Sequence, residues 1–493
     1  MTQSSPAPGV IATAEAVRRG ERSAEHVTTE HLARAASLRG LNALLHVDEE
    51  RALQAARRVD ARRAEGKTLG RLAGVPVVLK DNLCVTGVPT TCASRILEGY
   101  RPPYDADCVE RLVAEDAVIL AKANMDEFAM GSSNENSAFG PVKNPWDPSR
   151  APGGSSGGSA AATAASIGAV ALGTDTGGSV RQPGAFCGVV AIKPTYGRLS
   201  RYGVIAFASS LDQVGTMTRS VRDGARVLGV LAGHDRRDAT SATEPVPDYE
   251  AACELPVKGT RVGVMRAALD QVEDPDVRAS FAAAEASLRD AGCDVVDIEL
   301  PHAHHGVSVY YLVATAEASS NLARFDGMRF GLRVAGEDLL STYERTRAQG
   351  FGPEVQRRIM LGTYALSSGY YDAFYIKAQK VRTLMIKDYQ QAFERCDAVL
   401  SPTAPTPAFG LGEKTGDPLA MYLADIFTLP PSLAGLPAMH VPVGLGSTSG
   451  LPVGVQITTP AFTEGRMLQL GSALEARSGY VCAPPGMDVG GAS

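Results

Sequence analysis

Two clusters of glycine and serine, GGSSGGS at 153–159 and GTDTGGSVRQPGAFCG at 173–188, place two serines 24 residues apart around an alanine-rich run. A flexible linker carries no such core-like filler and does not end in residues like Arg181 and Phe186. Glycines this dense permit tight turns and expose backbone N–H groups to a bound anion or a developing oxyanion. Two tight turns in a crowded fold are the plainer alternative. The run 160–172 is mostly alanine and is broken by Gly168, so it reads as a packed helix leading into a strand and not as a membrane span.

Around these clusters, short apolar runs at 75–79, 117–121 and 189–192 each end in polar or glycine-containing turns, with helical patterns such as 108–115 between them. Strand and helix alternate, which predicts an α/β fold with a central mixed β-sheet covered on both faces by helices. Residues 1–9 read as a disordered segment. A helical prelude is expected over 12–66, where apolar residues recur around Val27, Leu32, Leu38, Leu44 and Leu45. One domain spans 10–482, with a subdomain or insertion around 243–300 whose second half reads strand, helix, strand. A long helical region covers 353–395, residues 396–409 form a strand running into a proline-rich turn, and 483–493 are a Pro/Gly tail.

Charge narrows the partners. Lys and Arg number 48 against 54 Asp and Glu, a formal net charge of −6, which gives no general reason to hold nucleic acid or an anionic membrane. RNA carried by a partner subunit stays compatible with that balance. The eight cysteines form no CxxC pair, no zinc-like spacing accompanies them, and nothing resembles a secretory signal. A soluble, cytoplasmic chain with reduced thiols is expected.

Familiar catalytic motifs are missing. Neither cluster supplies the lysine of a phosphate loop, GxSxG is absent around both serines, and no histidine sits in HExxH or HxxEH. His302, His304 and His305 read as a polar loop entering a helix, with a metal cluster as the alternative. A serine hydrolase without an evident histidine needs another base, and Lys80 closes the apolar run 75–79. Desolvation and hydroxyl neighbours there can hold its ammonium partly neutral near pH 7. Ser-Lys pairs are an established solution to acyl transfer.

With Lys80 in GVPVVLKDN, Ser155 in GGSSGGS, Ser179 in GTDTGGSVRQPGAFCG, and KPTYGRLSRYGVIAFASSLDQVG at 193–215, the sequence resembles the amidase signature enzymes from about residue 12 to 482. The resemblance implies the amidase signature fold and a Ser-cisSer-Lys triad. Ser179 would be the nucleophile, Ser155 the relay and Lys80 the base, with Ser156 the neighbouring alternative to Ser155. Backbone N–H groups of Thr176, Gly177, Gly178 and Ser179 would form the oxyanion hole. No metal is expected in this chain. Among the departures, Gly184 stands where relatives more often carry Ala, and Ala191 where they carry Gly.

Narrower blocks at 317–331, 357–382 and 422–437 are similar to the glutaminase components of aspartyl/glutamyl-tRNA amidotransferases, their A subunits. That likeness implies free glutamine as substrate. Arg358 would clamp its α-carboxylate, Asp425 would hold its α-ammonium, and Tyr310 would line the pocket. Arg357 is the competing register for Arg358. It further implies that this chain binds no cofactor. ATP and Mg2+ would act in a partner B subunit that also binds most of the misacylated tRNA, and a small C subunit would complete the complex. A stand-alone amidase with the same triad, and a non-catalytic scaffold, are the other readings.

Overall fold

The computed structural model describes residues 7–487. Among them, eleven strands form one mixed sheet: β1 (Leu44–Val47), β2 (Pro76–Lys80), β3 (Val118–Ala123), β4 (Val170–Asp175), β5 (Val190–Lys193), β6 (Gln213–Thr218), β7 (Arg261–Val264), β8 (Asp294–Asp297), β9 (Ala398–Pro402), β10 (Ala438–Leu445) and β11 (Pro452–Thr458). Their order is β1-β3-β2-β4-β6-β5-β10-β11-β9-β7-β8. Strands β3, β2 and β4 run parallel, as do β9, β7 and β8, while antiparallel pairs join these blocks.

All five residues of β2 and all six of β4 are buried, as expected of strands covered on both faces. Alternation still decides which layer each residue joins. Val77 and Leu79 pack with the helices Val221–Leu231 and Glu464–Ser478, whereas Val78 packs with Gly157–Ala164 and Ala24–Ser37. Lys80 therefore shares a face with Val78, the face that carries Gly157–Ala164. Ser155 and Ser156 immediately precede that helix. On β4, a Cβ at Gly173 would lie 2.7 Å from Ser156 Oγ, so the missing side chain makes room for that hydroxyl. Because β2 and β4 are parallel, Lys80 and the residues after Asp175 leave the sheet at the same end. A third apolar cluster, with Phe128, Phe207, Tyr310, Val313, Val355 and Leu429, packs the helices Gly306–Asn321 and Pro353–Leu366 together beside that end.

Several elements depart from the sequence reading. Leu44 and Leu45 lie in the antiparallel edge strand β1 and not in a helix; four residues are too few for alternation to show. Residues 261–297 supply the far edge of the same sheet, so the stretch around 243–300 is continuous with the main body. The region 353–395 is two helices, Pro353–Leu366 and Lys377–Arg395, with a π-helical turn Asp372–Ile376 between them. Of the expected disordered start, residues 1–6 lie outside the described residues. Ala7 and Pro8 are held there by Arg219, whose guanidinium donates to their carbonyls at 3.1 and 2.9 Å. Of the expected tail, 488–493 lie outside the described residues, while the Met487 carbonyl accepts from Arg34. No helix of the described residues is long and apolar enough to cross a membrane.

Candidate active site

Lys80, Ser155 and Ser156 have no solvent exposure. The Lys80 Nζ donates to Ser155 Oγ at 2.7 Å, Ser156 Oγ at 2.8 Å and the Thr174 carbonyl at 3.2 Å. Burial pulls its pKa down to about 7, against the opposing pull of Asp126, Asp175 and Asp212. An amine in that range can give and take protons near neutrality. The Gly154–Ser155 peptide bond is cis. The two serines are not equivalent, because the Ser156 hydroxyl also lies 3.3 Å from the Thr174 carbonyl and can spend its proton there.

Ser179 stands apart from them in exposure, at 7% against none for Ser155 and Ser156. Of the three serines it alone keeps any solvent exposure. The Ser156 N–H donates to the Ser179 carbonyl at 3.1 Å, which ties the two glycine-serine clusters together. The loop between β4 and the helix Arg181–Cys187 is clamped at both ends. Arg181 donates from Nε and Nη2 to the Asp175 carboxylate at 3.0 and 2.9 Å, from Nη1 to Gln456 Oε1, and from Nη2 also to Ser432 Oγ. Both members of that ion pair are fully buried. In the loop itself, Thr176 Oγ1 donates to Asp212 at 2.7 Å, and Thr428 Oγ1 donates to the Gly177 carbonyl at 2.7 Å.

Gly178 has φ +149°, and a Cβ there would lie 2.1 Å from Thr428 Oγ1. Glycine is thus required both by conformation and by space. The backbone N–H groups of Thr176, Gly177, Gly178 and Ser179 meet no acceptor among the described residues. Buried amides normally find partners. Four neighbouring ones without any are free to donate to negative charge on an oxygen.

Tyr310 and Asp425 border this loop, and Arg358 packs against Tyr311, whose ring meets that of Tyr310. A Cβ on Gly177 would touch the Tyr310 ring at 2.7 Å, and one on Gly178 would lie 3.2 Å from Asp425 Oδ1. Asp425 Oδ2 accepts from Ser132 Oγ, whereas its Oδ1 is buried with no partner among the described residues. Burial pushes the Asp425 carboxyl up to about 7, with Ser132 acting in the opposite direction. Of the adjacent arginines, Arg358 is buried and Arg357 exposed. Arg358 Nε donates to Glu354 at 2.8 Å, and its guanidinium lies over the Tyr311 ring, 5.1 Å from the centroid. Its Nη groups have no acceptor among the described residues. Two guanidinium Nη groups and a buried carboxylate oxygen thus stand without hydrogen-bond partners among the described residues.

Sequence reasoning passed over several of these groups. Asp175 and Arg181 sit inside the second cluster, but their pairing needs the turn that brings residues six apart together. Ser132, Thr428, Glu354, Tyr311 and Tyr422 carry no spacing signal; a run of small polar residues at 132–137 was the one visible cue to Ser132. Asp126, between the two clusters and Lys80, accepts the Asn134 and Asn136 N–H groups at 2.9 and 3.0 Å and so shapes the Ser132 turn. His302 pairs with Asp388 through Nδ1 at 3.0 Å, and no group of three or more His, Cys, Asp or Glu among the described residues is arranged to hold a metal. Seven cysteines are buried and Cys253 half-buried, all unpaired as disulfides.

Known proteins resemble this chain along almost their whole length. A family profile described as Amidase matches residues 26–468. The A subunit of the glutamyl-tRNA(Gln) amidotransferase of Moorella thermoacetica is 56% identical over 465 residues, covering 94% of this chain and 95% of its own. The crystal structure of the Thermotoga maritima protein of the same name superposes with a TM-score of 0.78 at 41% identity, covering 93% of both chains. The native peptide amidase of Stenotrophomonas maltophilia superposes with a TM-score of 0.83 at 31% identity, over 98% of this chain and 99% of that one. Since the profile spans the strands and loops that carry Lys80, Ser155 and Ser179, and relatives this similar run from end to end, the chain belongs to the amidase family.

Proposed function

We propose that this chain is the glutamine-hydrolysing component, the A subunit, of a tRNA-dependent amidotransferase, of the class glutaminyl-tRNA synthase (glutamine-hydrolysing). One observation carries the choice of substrate: the partnerless Asp425 Oδ1 borders the glycine loop, and the open Nη groups of Arg358 lie against Tyr311 and Tyr422, the latter three residues before Asp425. Free glutamine bears an ammonium and a carboxylate beside its side-chain amide, and a guanidinium fork matches a carboxylate two-pronged. A simple amide offers neither charge. The names of the relatives support the same reading.

In the cycle, glutamine lies between Arg358 and Asp425 against Tyr310, with its amide carbonyl turned to the N–H groups of Thr176, Gly177, Gly178 and Ser179. Ser179 Oγ attacks the carbonyl carbon. Its proton passes to Ser155, whose own proton passes to the neutral Lys80 amine. Negative charge on the former carbonyl oxygen is stabilised by the amides, each such donor being worth roughly 3–4 kcal/mol. The proton returns through the same hydroxyls to the departing nitrogen, which leaves as ammonia. Water then cleaves the glutamyl ester by the reverse relay, releasing glutamate. Ser155 suits the relay better than Ser156, whose proton is committed to the Thr174 carbonyl.

The ammonia is passed to a partner B subunit, which uses ATP and Mg2+ to activate Glu-tRNA(Gln) or Asp-tRNA(Asn) and holds most of the tRNA. A small C subunit completes a cytoplasmic complex. The chain's own charge of −6 accords with leaving the tRNA to a partner.

Acidity follows from the two buried groups. Lys80 accepts a proton only as the free amine, so activity falls as the pH drops below about 7. Asp425 pairs with the ammonium only when ionised, which is also lost below about 7. The kcat/KM of the free enzyme is therefore expected to fall by between about tenfold and a hundredfold per pH unit on the acid side. Bound ammonium keeps Asp425 ionised, so kcat should fall by only about tenfold per unit. An Asp425→Asn variant whose kcat/KM keeps the steeper limb would contradict this assignment.

The functional test is ammonia transfer in the complex reconstituted with both partner subunits and each misacylated tRNA. Wild type should transfer nitrogen from glutamine or from ammonium, and Ser179→Ala from ammonium alone. Turnover of small amides with no preference for glutamine would point to a stand-alone amidase. Unchanged glutamine use by Ser179→Ala would point to a scaffold.

A further inference from the structure

An arginine clamps a carboxylate only if the correct edge of its guanidinium faces the substrate, and the structure shows what sets that edge. We propose that Glu354 is a positioning residue for substrate selection: it seizes the Nε edge of Arg358, aims the Nη fork into the pocket, and ties that fork to the segment carrying Asp425. The inference rests on the glutamine pocket described above.

Glu354 lies in the first turn of Pro353–Leu366, four residues before Arg358. A surface pair at that spacing contributes little. This one is not on the surface, the side chains being 3% exposed for Arg358 and 10% for Glu354. Glu354 Oε1 accepts from both Arg358 Nε, at 2.8 Å, and the Tyr422 hydroxyl, at 3.2 Å, while Oε2 accepts from the exposed Arg357. Arg358 is further confined by the rings of Tyr311, Tyr422 and Phe207, at 5.1, 5.6 and 5.7 Å from its central carbon. With the Nε side occupied, the end-on pair of Nη groups is the edge left for a second carboxylate.

The same carboxylate reaches across to the other pole. Tyr422 stacks on Tyr311 with centroids 3.7 Å apart, and Tyr311 meets Tyr310 edge-on at 5.1 Å. Tyr422 stands three residues before Asp425. Glu354 therefore joins the helix that holds the carboxylate site to the segment that holds the ammonium site. A rigid spacing between those poles favours an α-amino acid amide over an amide lacking either charge.

The test uses Glu354→Gln and Glu354→Ala in the full chain assembled with its partner subunits. Kinetics are measured with glutamine and with propionamide, which has neither pole. The expected result is a glutamine KM raised about tenfold or more in Glu354→Ala and less in Glu354→Gln, with kcat within about twofold. Propionamide kcat/KM should not change. In an Arg358→Ala background, Glu354→Ala should add little, since the two residues act as one unit. The near-isosteric glutamine variant keeps the test informative if alanine impairs folding. A wild-type KM in both Glu354 variants, equal losses on both substrates, or multiplying effects with Arg358→Ala would each overturn the inference. If Arg358→Ala raises KM and Glu354→Ala does not, only this inference falls. If Arg358→Ala itself leaves KM unchanged, the glutamine pocket falls with it.

Discussion

Replacing Ser179 by alanine is expected to lower glutamine turnover by at least about 10^4-fold while leaving the thermal unfolding midpoint within about 2 °C of wild type. The size follows from the chemistry. Without the Oγ there is no atom to form the acyl ester, and the oxyanion amides can only assist direct attack by water. Such residual catalysis, from the oxyanion site and binding alone, is roughly 10^3–10^4 over the uncatalysed rate in serine hydrolases. Stability changes little because Ser179 is the partly exposed member of the set and its carbonyl, not its hydroxyl, receives the Ser156 N–H. In the proposed cycle nucleophile, relay and base act in one proton path, so Ser179→Ala combined with Lys80→Met should be no slower than Ser179→Ala alone. Single-turnover release of glutamate measures both variants. A double variant another 100-fold slower would show that Lys80 works outside this path.

The second large effect is on stability. Arg181→Met is expected to destabilise the fold by about 3–5 kcal/mol, because it leaves the Asp175 carboxylate buried without its counter-charge. Four groups lose contacts at once: both Asp175 oxygens, Gln456 and Ser432. Burial alone would push the Asp175 carboxyl up; Arg181 overcomes it and holds the group below its ordinary value. That sign means the pair stabilises the protein above the usual carboxylate range and loses its contribution as the pH falls below that range through the group's lowered value. The variant's deficit in urea unfolding should therefore be full at neutral pH and shrink in acid. Turnover should be lost as well, since Asp175 and Arg181 are the two posts between which the 176–179 loop hangs. Pairing Arg181→Met with Asp175→Asn should recover part of the stability, because no uncompensated charge then remains. A single-variant loss below about 1 kcal/mol would mean that the pair is not the loop's anchor.

The contrast between those two sites explains what could be read in advance. Lys80 was legible because two simple rules converge on it: a buried strand ends there, and alternation fixes the face it shares with Val78. The serine clusters were legible because dense glycine has few other uses. The Asp175–Arg181 pair was not, because its geometry exists only once the turn after β4 has formed. Arg357 and Arg358 are indistinguishable as letters; burial on one side of the helix separates them. Strand β1 escaped because four residues show no period, and because the pairing of Leu44 with Ala123 is a long-range contact.

Gly184 and Ala191 carry a similar lesson. As letters in the sequence they look like two independent positions. In the structure a Cβ on Gly184 would lie 2.4 Å from the Ala191 Cβ, so only one of the two positions can bear a methyl group. The glycine in the helix Arg181–Cys187 and the alanine on β5 thus meet across a single contact. Packing density leaves no room for the sum of both side chains.

The most direct test of the central claim is to trap the ester. Glutamine-loaded complex is quenched in acid during steady turnover, digested, and mapped by mass spectrometry for a peptide carrying an added glutamyl group. The modification should lie on Ser179, be absent from Ser155 and Ser156, and disappear in Ser179→Ala. A glutamyl group on Ser155, on Ser156 or on a cysteine, or turnover with no acylated residue at all, would contradict the mechanism.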